Sequence, residues 1–561
     1  MKMKDRNAQL KSTLGAMPTK ERLVESLNVP KENTTNRSGC PAYSLADELR
    51  LISMLNTLKI QPQYYRSENE TIKELRDLIE KIGLKDPYFA AQCIVYSRCL
   101  GEGMRTVNHL AAALLSPFIS GQEYAKRFYS VFNKKTKSGG CILRPDDMTE
   151  IKDVYDFLNK GKLSNAMKKG FAHALESFDN YQLSKYRANT INIANLVHPD
   201  SKKSNAVITI DGKEMKTLDA IMKGITVTAD TWEANNSEAG QIVADAVRSG
   251  KLDKDEAKKV LAEAKNDNWE TMLKEGTLGI LAAIRNIRNM LSNPRKDVID
   301  ALCNLVQDGD KIRNGLIMPY QIDLAYTIIE NEFPNCMYGD QIKTALRNGY
   351  IKAMPNLKIA MPGKTLCVVD TSGSMRTPCT GDKKSNRYYR RSAMYQAALM
   401  AATIAQATDG DIMTFSDDSH WYSFRKSDNV FSIAKDIEDK SYCGGTNIPS
   451  VFKRLTTEKK HYDRIIILSD NECNRQASSS YGSYYYSSGR NWVSGAYAEY
   501  VKYVTSPYVY CVDLAADGTT ILPQNNKIAY YFGYGYSMLD DIAKLEFNPQ
   551  AHIEKIKKIV I

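Results

Sequence analysis

The sequence predicts two parts: an all-α stack of helical repeats, followed by a doubly wound α/β domain. Three observations point there. At 561 residues the chain is too long for one compact core. Across residues 45–350 apolar side chains recur at helical spacing, with short polar or Gly/Pro breaks. Beyond residue 361 short continuous apolar runs alternate with helical segments, the pattern of strands buried on both faces of a mostly parallel sheet. The expected division is therefore 1–360 and 361–561.

In the helical part, Ile280, Ile284, Ile287 and Leu291 form one stripe, which predicts a single amphipathic helix over 278–291. Helices are also expected over 88–99, 107–115 and 319–329. No strict period connects them, so the repeats read as irregular helical pairs, an α-solenoid inferred from pattern. In the second part, strands are expected over 365–369, 412–415, 464–468, 509–514 and 528–532. The helix expected over 392–406 is apolar on nearly every face and must be covered.

The net charge of +11 favours a polyanionic partner, though 76 basic against 65 acidic residues is a mild excess. Eight of these surplus charges precede residue 361. The eleven cysteines include no C-x-x-C pair and suit neither a zinc ribbon nor a disulfide framework, which implies a reducing compartment. The first residues lack an apolar signal region and no stretch is long enough to span a bilayer, so a cytoplasmic location and no membrane partner are expected.

The chemistry gathers at one expected strand end. Asp370-Thr371-Ser372-Gly373-Ser374 offers a carboxylate and two hydroxyls on a tight loop, a set suited to a hard cation such as Mg²⁺. Thr446 follows a Gly-Gly pair at the start of a helix, and Asp470 closes the strand 464–468. The blander reading is a helix-capping Asp370 with two turn serines. These residues resemble the von Willebrand factor A family, whose metal-ion-dependent adhesion site combines a D-x-S-x-S loop with a distant Thr and Asp. The resemblance implies that Asp370, Ser372, Ser374, Thr446 and Asp470 bind a divalent cation, Mg²⁺ by preference, with a coordination position left for a partner's oxygen. Catalysis is not expected. A dehalogenase-type phosphotransferase needs a second Asp where Ser372 stands, and the six histidines show no triad-like context.

The helical part resembles the TROVE module of Ro-type RNA-binding proteins, a ring of HEAT-like helical repeats that precedes an A-type domain. The similar stretches are Lys168-Lys169-Gly170 through Lys185-Tyr186-Arg187, Asn195-Leu196-Val197-His198-Pro199, Ala283-Ile284-Arg285-Asn286 and Ser469-Asp470-Asn471-Glu472. The resemblance implies a ribonucleoprotein that binds small structured noncoding RNA of the Y class and single-stranded 3′ ends of misfolded RNA, in RNA quality control or turnover. A 3′-to-5′ exoribonuclease is an implied partner, and the chain is expected to be a monomer. Thr190 and Ile191 stand where the family often has His and Lys in an RNA-contacting loop, a departure that bears on RNA choice.

From the residues themselves, Lys168, Lys169, Lys185 and Arg187 make a local basic cluster able to neutralise phosphates, or else a solvated helix face. Arg285 and Arg288 are i, i+3 neighbours that could face one groove or form ion pairs. With His198 from the resemblance, these are the candidate RNA-binding residues. Tyr, Lys and Arg in 382–391 and 481–490 have the composition of a base-stacking platform, or of a ligand-free insertion. A non-catalytic RNA-binding scaffold is expected; the alternative is a metal-dependent protein assembly module without RNA.

Overall fold

The computed structural model describes residues 30–561 apart from 31, 61–63, 160–161, 211, 226, 228–231, 316, 318, 355–360, 379–390, 475–491, 534–540, 542–547 and 549. The described residues form two compact units, one of residues 30–82 with 355–558 and one of 83–354 with 559–561.

The first unit is α/β. Its strands, in chain order, are β1 (Thr34–Thr35), β2 (Pro41–Ser44), β3 (Thr365–Asp370), β4 (Asp411–Phe415), β5 (Ser419–Tyr422), β6 (Arg464–Ser469), β7 (Tyr508–Asp513), β8 (Thr519–Thr520) and β9 (Ile528–Phe532). The main sheet has the order β9-β7-β6-β3-β4-β5 and is parallel except for β5, which pairs antiparallel with β4. Every residue of β3, β6 and β9 is buried, which explains the apolar runs at the centres of these strands. The helix Ala393–Thr408 is buried on nearly every side and is capped by the Ser392 hydroxyl, which accepts from the Tyr395 amide at 2.9 Å. The five expected strands are all present. The antiparallel edge strand β5 was not anticipated.

The expected division at residue 360 needs correction at both ends of the chain. β2 pairs with β1 on one side and β8 on the other. The helix Asp47–Thr57 follows, and its Ser53 hydroxyl donates to Asp513 at 3.1 Å while Asn56 donates to the Phe532 carbonyl at 3.3 Å. The N-terminal segment thus completes the α/β unit. Two- and four-residue strands carry too little periodicity to announce a partner several hundred residues away. At the other end, 559–561 join the helical unit: Gly139 N–H donates to the Val560 carbonyl at 2.9 Å, and Gln92 to the Ile559 carbonyl at 2.8 Å.

The second unit stacks helix on helix. Thr106–Ile119 packs against Pro87–Cys99 and Pro145–Asn159, Trp232–Arg248 against Lys254–Lys274, and Lys296–Val306 against Gly339–Ala353. The single helix expected over 278–291 is two, Ile280–Arg285 and Ile287–Ser292, joined at Asn286. Asn286 lies at φ −98°, ψ 8°, and its side-chain amide donates to the Ala282 carbonyl at 2.9 Å, the local competition with helical bonding to which Asn is prone. The stripe Ile280, Ile284, Ile287 and Leu291 is nonetheless buried. Two β-hairpins, Phe132–Asn133 with Ser138–Gly139 and Val207–Ile210 with Lys213–Lys216, interrupt the helices.

Helices Lys296–Val306 and Gly339–Ala353 cross closely at Gly349, where an added Cβ would lie 2.0 Å from the Val306 carbonyl oxygen. Gly349→Ala is expected to destabilise this unit by about 1–3 kcal/mol through overpacking. Thermal denaturation followed by circular dichroism checks this, and an unchanged midpoint would contradict so tight a crossing.

Candidate cation site and basic surface

β3 is the topological switch point of the sheet, because the chain passes from it to β4 on one side and later to β6 on the other. In such sheets ligands collect beyond the carboxyl ends of the strands at this crevice. Val369 on β3 pairs with Leu468 on β6, so Asp370 and Asp470 leave adjacent strands at nearly the same level. Asp370 is the last residue of its strand, not a helix cap.

All five sequence-predicted ligands lie at this end of the sheet on three mutually tied loops. Asp370 accepts from the Ser372 amide at 2.9 Å and from the Ser469 hydroxyl at 2.5 Å. The Ser372 and Ser374 hydroxyl oxygens are 3.2 Å apart. Gly373 N–H donates to the Gly444 carbonyl at 3.2 Å, joining the first loop to the Gly-Gly-Thr loop. Thr446 is tied to the third loop: its amide donates to Asn474 Oδ1 at 2.8 Å and its carbonyl accepts from Asn474 N at 3.0 Å.

The electrostatics suit a cation. Asp370 is fully buried, and burial together with the charge of Asp470 pushes its carboxyl up to about 7. Burial also raises Asp470, which is 3 % exposed. Thr446 Oγ1 is buried without a hydrogen-bond partner, an oxygen with its lone pairs still to be used. Two uncompensated carboxylates and an orphan hydroxyl fit a hard divalent cation that draws on few protein charges and keeps some waters. Among the described residues no cluster of three or more His, Cys, Asp or Glu side chains could hold a metal, so the hydroxyls are needed to complete this set.

Several contributors escaped the sequence reading. Ser469 orients Asp370, and Asn474 holds Thr446. From the N-terminal segment, Tyr64 and Tyr65 line a cleft of about 40 Å³ that also exposes Ser374 and Asp470. Ser38 N–H donates to Glu472 at 3.2 Å, and burial beside Asp517 and Asp470 pushes the Glu472 carboxyl up to about 8. Arg37 and Arg66 pair with Asp517 on the same side. The only advance signal for Tyr65 is its place in a Tyr-Tyr-Arg string. The Tyr/Arg-rich loops 382–391 and 481–490 fall outside the described residues, except Arg391, which lies over the Tyr395 ring.

The candidate RNA-binding residues all belong to the helical unit but differ in freedom. Lys168 is half-buried and Lys169 exposed on the helix Asn165–Ser177. Lys185 is exposed at the end of Asn180–Lys185 and donates to the Tyr181 hydroxyl at 2.9 Å. Arg187 is half-buried and donates to the Ile225 carbonyl at 3.4 Å. His198 is exposed and caps the helix Arg187–Val197 in the left-handed region at φ 49°. Arg285 is exposed, whereas Arg288 forms an ion pair with Glu332, its Nε donating at 2.7 Å. Thr190 is fully buried and donates to the Leu183 carbonyl, a packing role.

The chain is similar to a Ro protein of known structure. That crystal structure, of the Deinococcus radiodurans Ro (RSR) protein, gives a TM-score of 0.48 at 15% identity, covering 89% of this chain and 100% of that one. No family model and no curated protein matches this chain.

Among the histidines, the structure pairs His173 Nδ1 with the Ser130 hydroxyl at 2.6 Å, which the sequence did not suggest. Ser130 is 4 % exposed, a poor position for a nucleophile that must reach a substrate. His109 is engaged with Asp147 and Glu150, and His552 is buried against the Tyr531 ring. Among the described residues no helix is long and apolar enough to cross a membrane.

Proposed function

We propose that this protein is a non-catalytic RNA-binding scaffold whose α/β unit holds a divalent cation, Mg²⁺ by preference. The observation that carries the cation reading is the orphan Thr446 Oγ1 beside two buried, uncompensated carboxylates. Bound there, the cation would supply positive charge and an open position for a partner's oxygen. Asp370 and Asp470 provide the counter-charge, Ser372, Ser374 and Thr446 the neutral oxygens, and Ser469 and Asn474 fix the loops.

RNA binding is supported by the exposed Lys169, Lys185 and Arg285, by the basic surplus before residue 361, and by the Ro-type motifs. The finer reading is a cytoplasmic ribonucleoprotein in RNA quality control. It takes small Y-like RNA on the basic helical faces, binds single-stranded 3′ ends, and works beside a 3′-to-5′ exoribonuclease. Reversing Lys168, Lys169, Lys185 and Arg187 together to Glu is expected to weaken RNA binding at least tenfold and to flatten its dependence on log salt. Filter binding over a salt series reads both quantities. If affinity and slope match the wild type, the RNA path does not cross this hairpin. The cation site on its own also favours a second reading, a metal-dependent protein assembly module; purified chain without any salt-dependent RNA affinity would select it.

A further inference from the structure

Among the described residues, Gln396 and Asn471 are the two amide side chains whose oxygen and nitrogen are both buried without a hydrogen-bond partner. Gln396 is 0 % exposed and Asn471 1 %. Both stand beside the loops of the cation site. Asn471 directly follows Asp470, and its N–H donates to the Ser469 hydroxyl oxygen at 3.0 Å, while that hydroxyl donates to Asp370. Gln396 lies three residues after Ala393 on the helix Ala393–Thr408, so the two side chains are neighbours on one helix face. Ala393 lines the cleft that exposes Ser374 and Asp470. Its N–H donates to the Thr377 carbonyl at 3.0 Å, and Thr377 N–H donates to the Ser374 carbonyl at 3.1 Å. Gln396 is thus placed one helical turn behind that cleft.

A side-chain amide brings two donors and an acceptor with two lone pairs, and leaving them unmatched in the interior is destabilising. Such groups are rare in folded proteins, and each calls for a reason. Backbone conformation accounts for only part of Asn471. It lies at φ 62°, in the left-handed region that Asn tolerates better than most residues, but glycine would meet that need without burying an amide. Gln396 has no such requirement, because it sits inside a regular helix next to Ala397, Ala398 and Leu399. A methionine of similar length would fill the same space without polar atoms. What both amides lack is a polar group that arrives from outside. A hard divalent cation held by few protein charges keeps part of its water, and side chains around a metal's own ligands hold such groups in place. Neutral amides suit this task, since further carboxylates would add repulsion to Asp370 and Asp470. Thr446 Oγ1, also buried and unpartnered, lies on the same loops.

We propose that Gln396 and Asn471 are positioning residues of the cation site, their amides hydrogen-bonding the water that accompanies the cation. The proposal rests on the cation reading and extends it beyond the five ligand positions. Its signature is an opposition of two effects: removing either amide weakens cation binding, yet takes nothing from the stability of the metal-free protein.

The test compares the full chain with Gln396→Met, Asn471→Gly and, as a control, Asp370→Ala. Isothermal titration with Mg²⁺ reads affinity, and thermal denaturation in EDTA reads metal-free stability. Each amide variant is expected to bind Mg²⁺ about tenfold or more weakly than the wild type. In EDTA the midpoint of Gln396→Met should equal or exceed that of the wild type, and Asn471→Gly, which keeps the left-handed turn, should stay close to it. If the wild type does not bind Mg²⁺, or Asp370→Ala binds it equally well, the cation reading falls and the proposal with it. If the wild type binds and Asp370→Ala does not, the cation reading stands. The proposal alone is then overturned by either amide variant binding Mg²⁺ as the wild type does. It is also overturned if Gln396→Met is less stable than the wild type in EDTA, because the amide would then serve the protein interior.

Discussion

Asp370→Ala is expected to abolish divalent-cation binding while leaving the fold intact. Asp370 ends β3 at the rim of the sheet, so its side chain contributes to the loop constellation and not to the apolar interior that holds the strands together. The substitution also removes a buried carboxyl that burial and Asp470 already hold near 7, so no favourable charge interaction within the metal-free protein is lost. Isothermal titration with Mg²⁺ or Mn²⁺ should give binding for the wild type and none for the variant. A cation at about a hundred times its dissociation constant should stabilise the wild type by about 2.7 kcal/mol and the variant not at all. Equal heats of binding, or an equal thermal shift, would remove the cation assignment.

Arg98→Ala should destabilise the helical unit by about 3 kcal/mol or more, because it strips a partner from a buried carboxylate. Arg98 donates to both oxygens of Asp147, each at 2.9 Å, and Asp147 is fully buried. His109 Nε2 lies 3.2 Å from Asp147, and its Nδ1 2.5 Å from Glu150. Burial alone would raise Asp147, but His109 and Arg98 outweigh it and hold the carboxyl well below the usual range. Burial likewise opposes charging His109, and the two carboxylates overcome it and raise its pKa.

The pH dependence follows from these directions. The lowered Asp147 adds stability that is present above its unfolded value of about 3.9 and is lost as pH falls through the folded value. The raised His109 adds stability that is present below about 6.5 and is lost as pH rises through its folded value. Their joint contribution should therefore be greatest between about pH 4 and 6.5 and decline above that window. Urea unfolding at a series of pH values measures it. A stability that rises steadily from pH 6 to 8 in the wild type would contradict a charged His109 in this network.

The strand-end position of the Asp370 loop could be read from the sequence because its determinants are local. An unbroken apolar run such as Leu366 to Val369 demands burial on both faces, and the small oxygen-bearing residues directly after it must then sit at a strand end. The same logic marked Asp470 after β6. Helical periodicity was equally legible, and the buried stripe of Ile280, Ile284, Ile287 and Leu291 survives even where Asn286 breaks the helix. What periodicity cannot carry is pairing at a distance. β2 against β8, Ser53 against Asp513, and the cleft shared by Tyr65 and Ser374 join residues hundreds of positions apart, and each segment alone is too short to show a pattern. The free or tied state of a basic side chain is equally non-local, since Arg285 and Arg288 look alike in sequence and only the arrival of Glu332 separates them. Sequence by itself therefore determined most element types and the placement of the Asp370 and Asp470 loops at one strand end. Tertiary structure decided which distant segment completes the α/β unit and which charges remain free, because both depend on contacts that form only when the whole chain is closed.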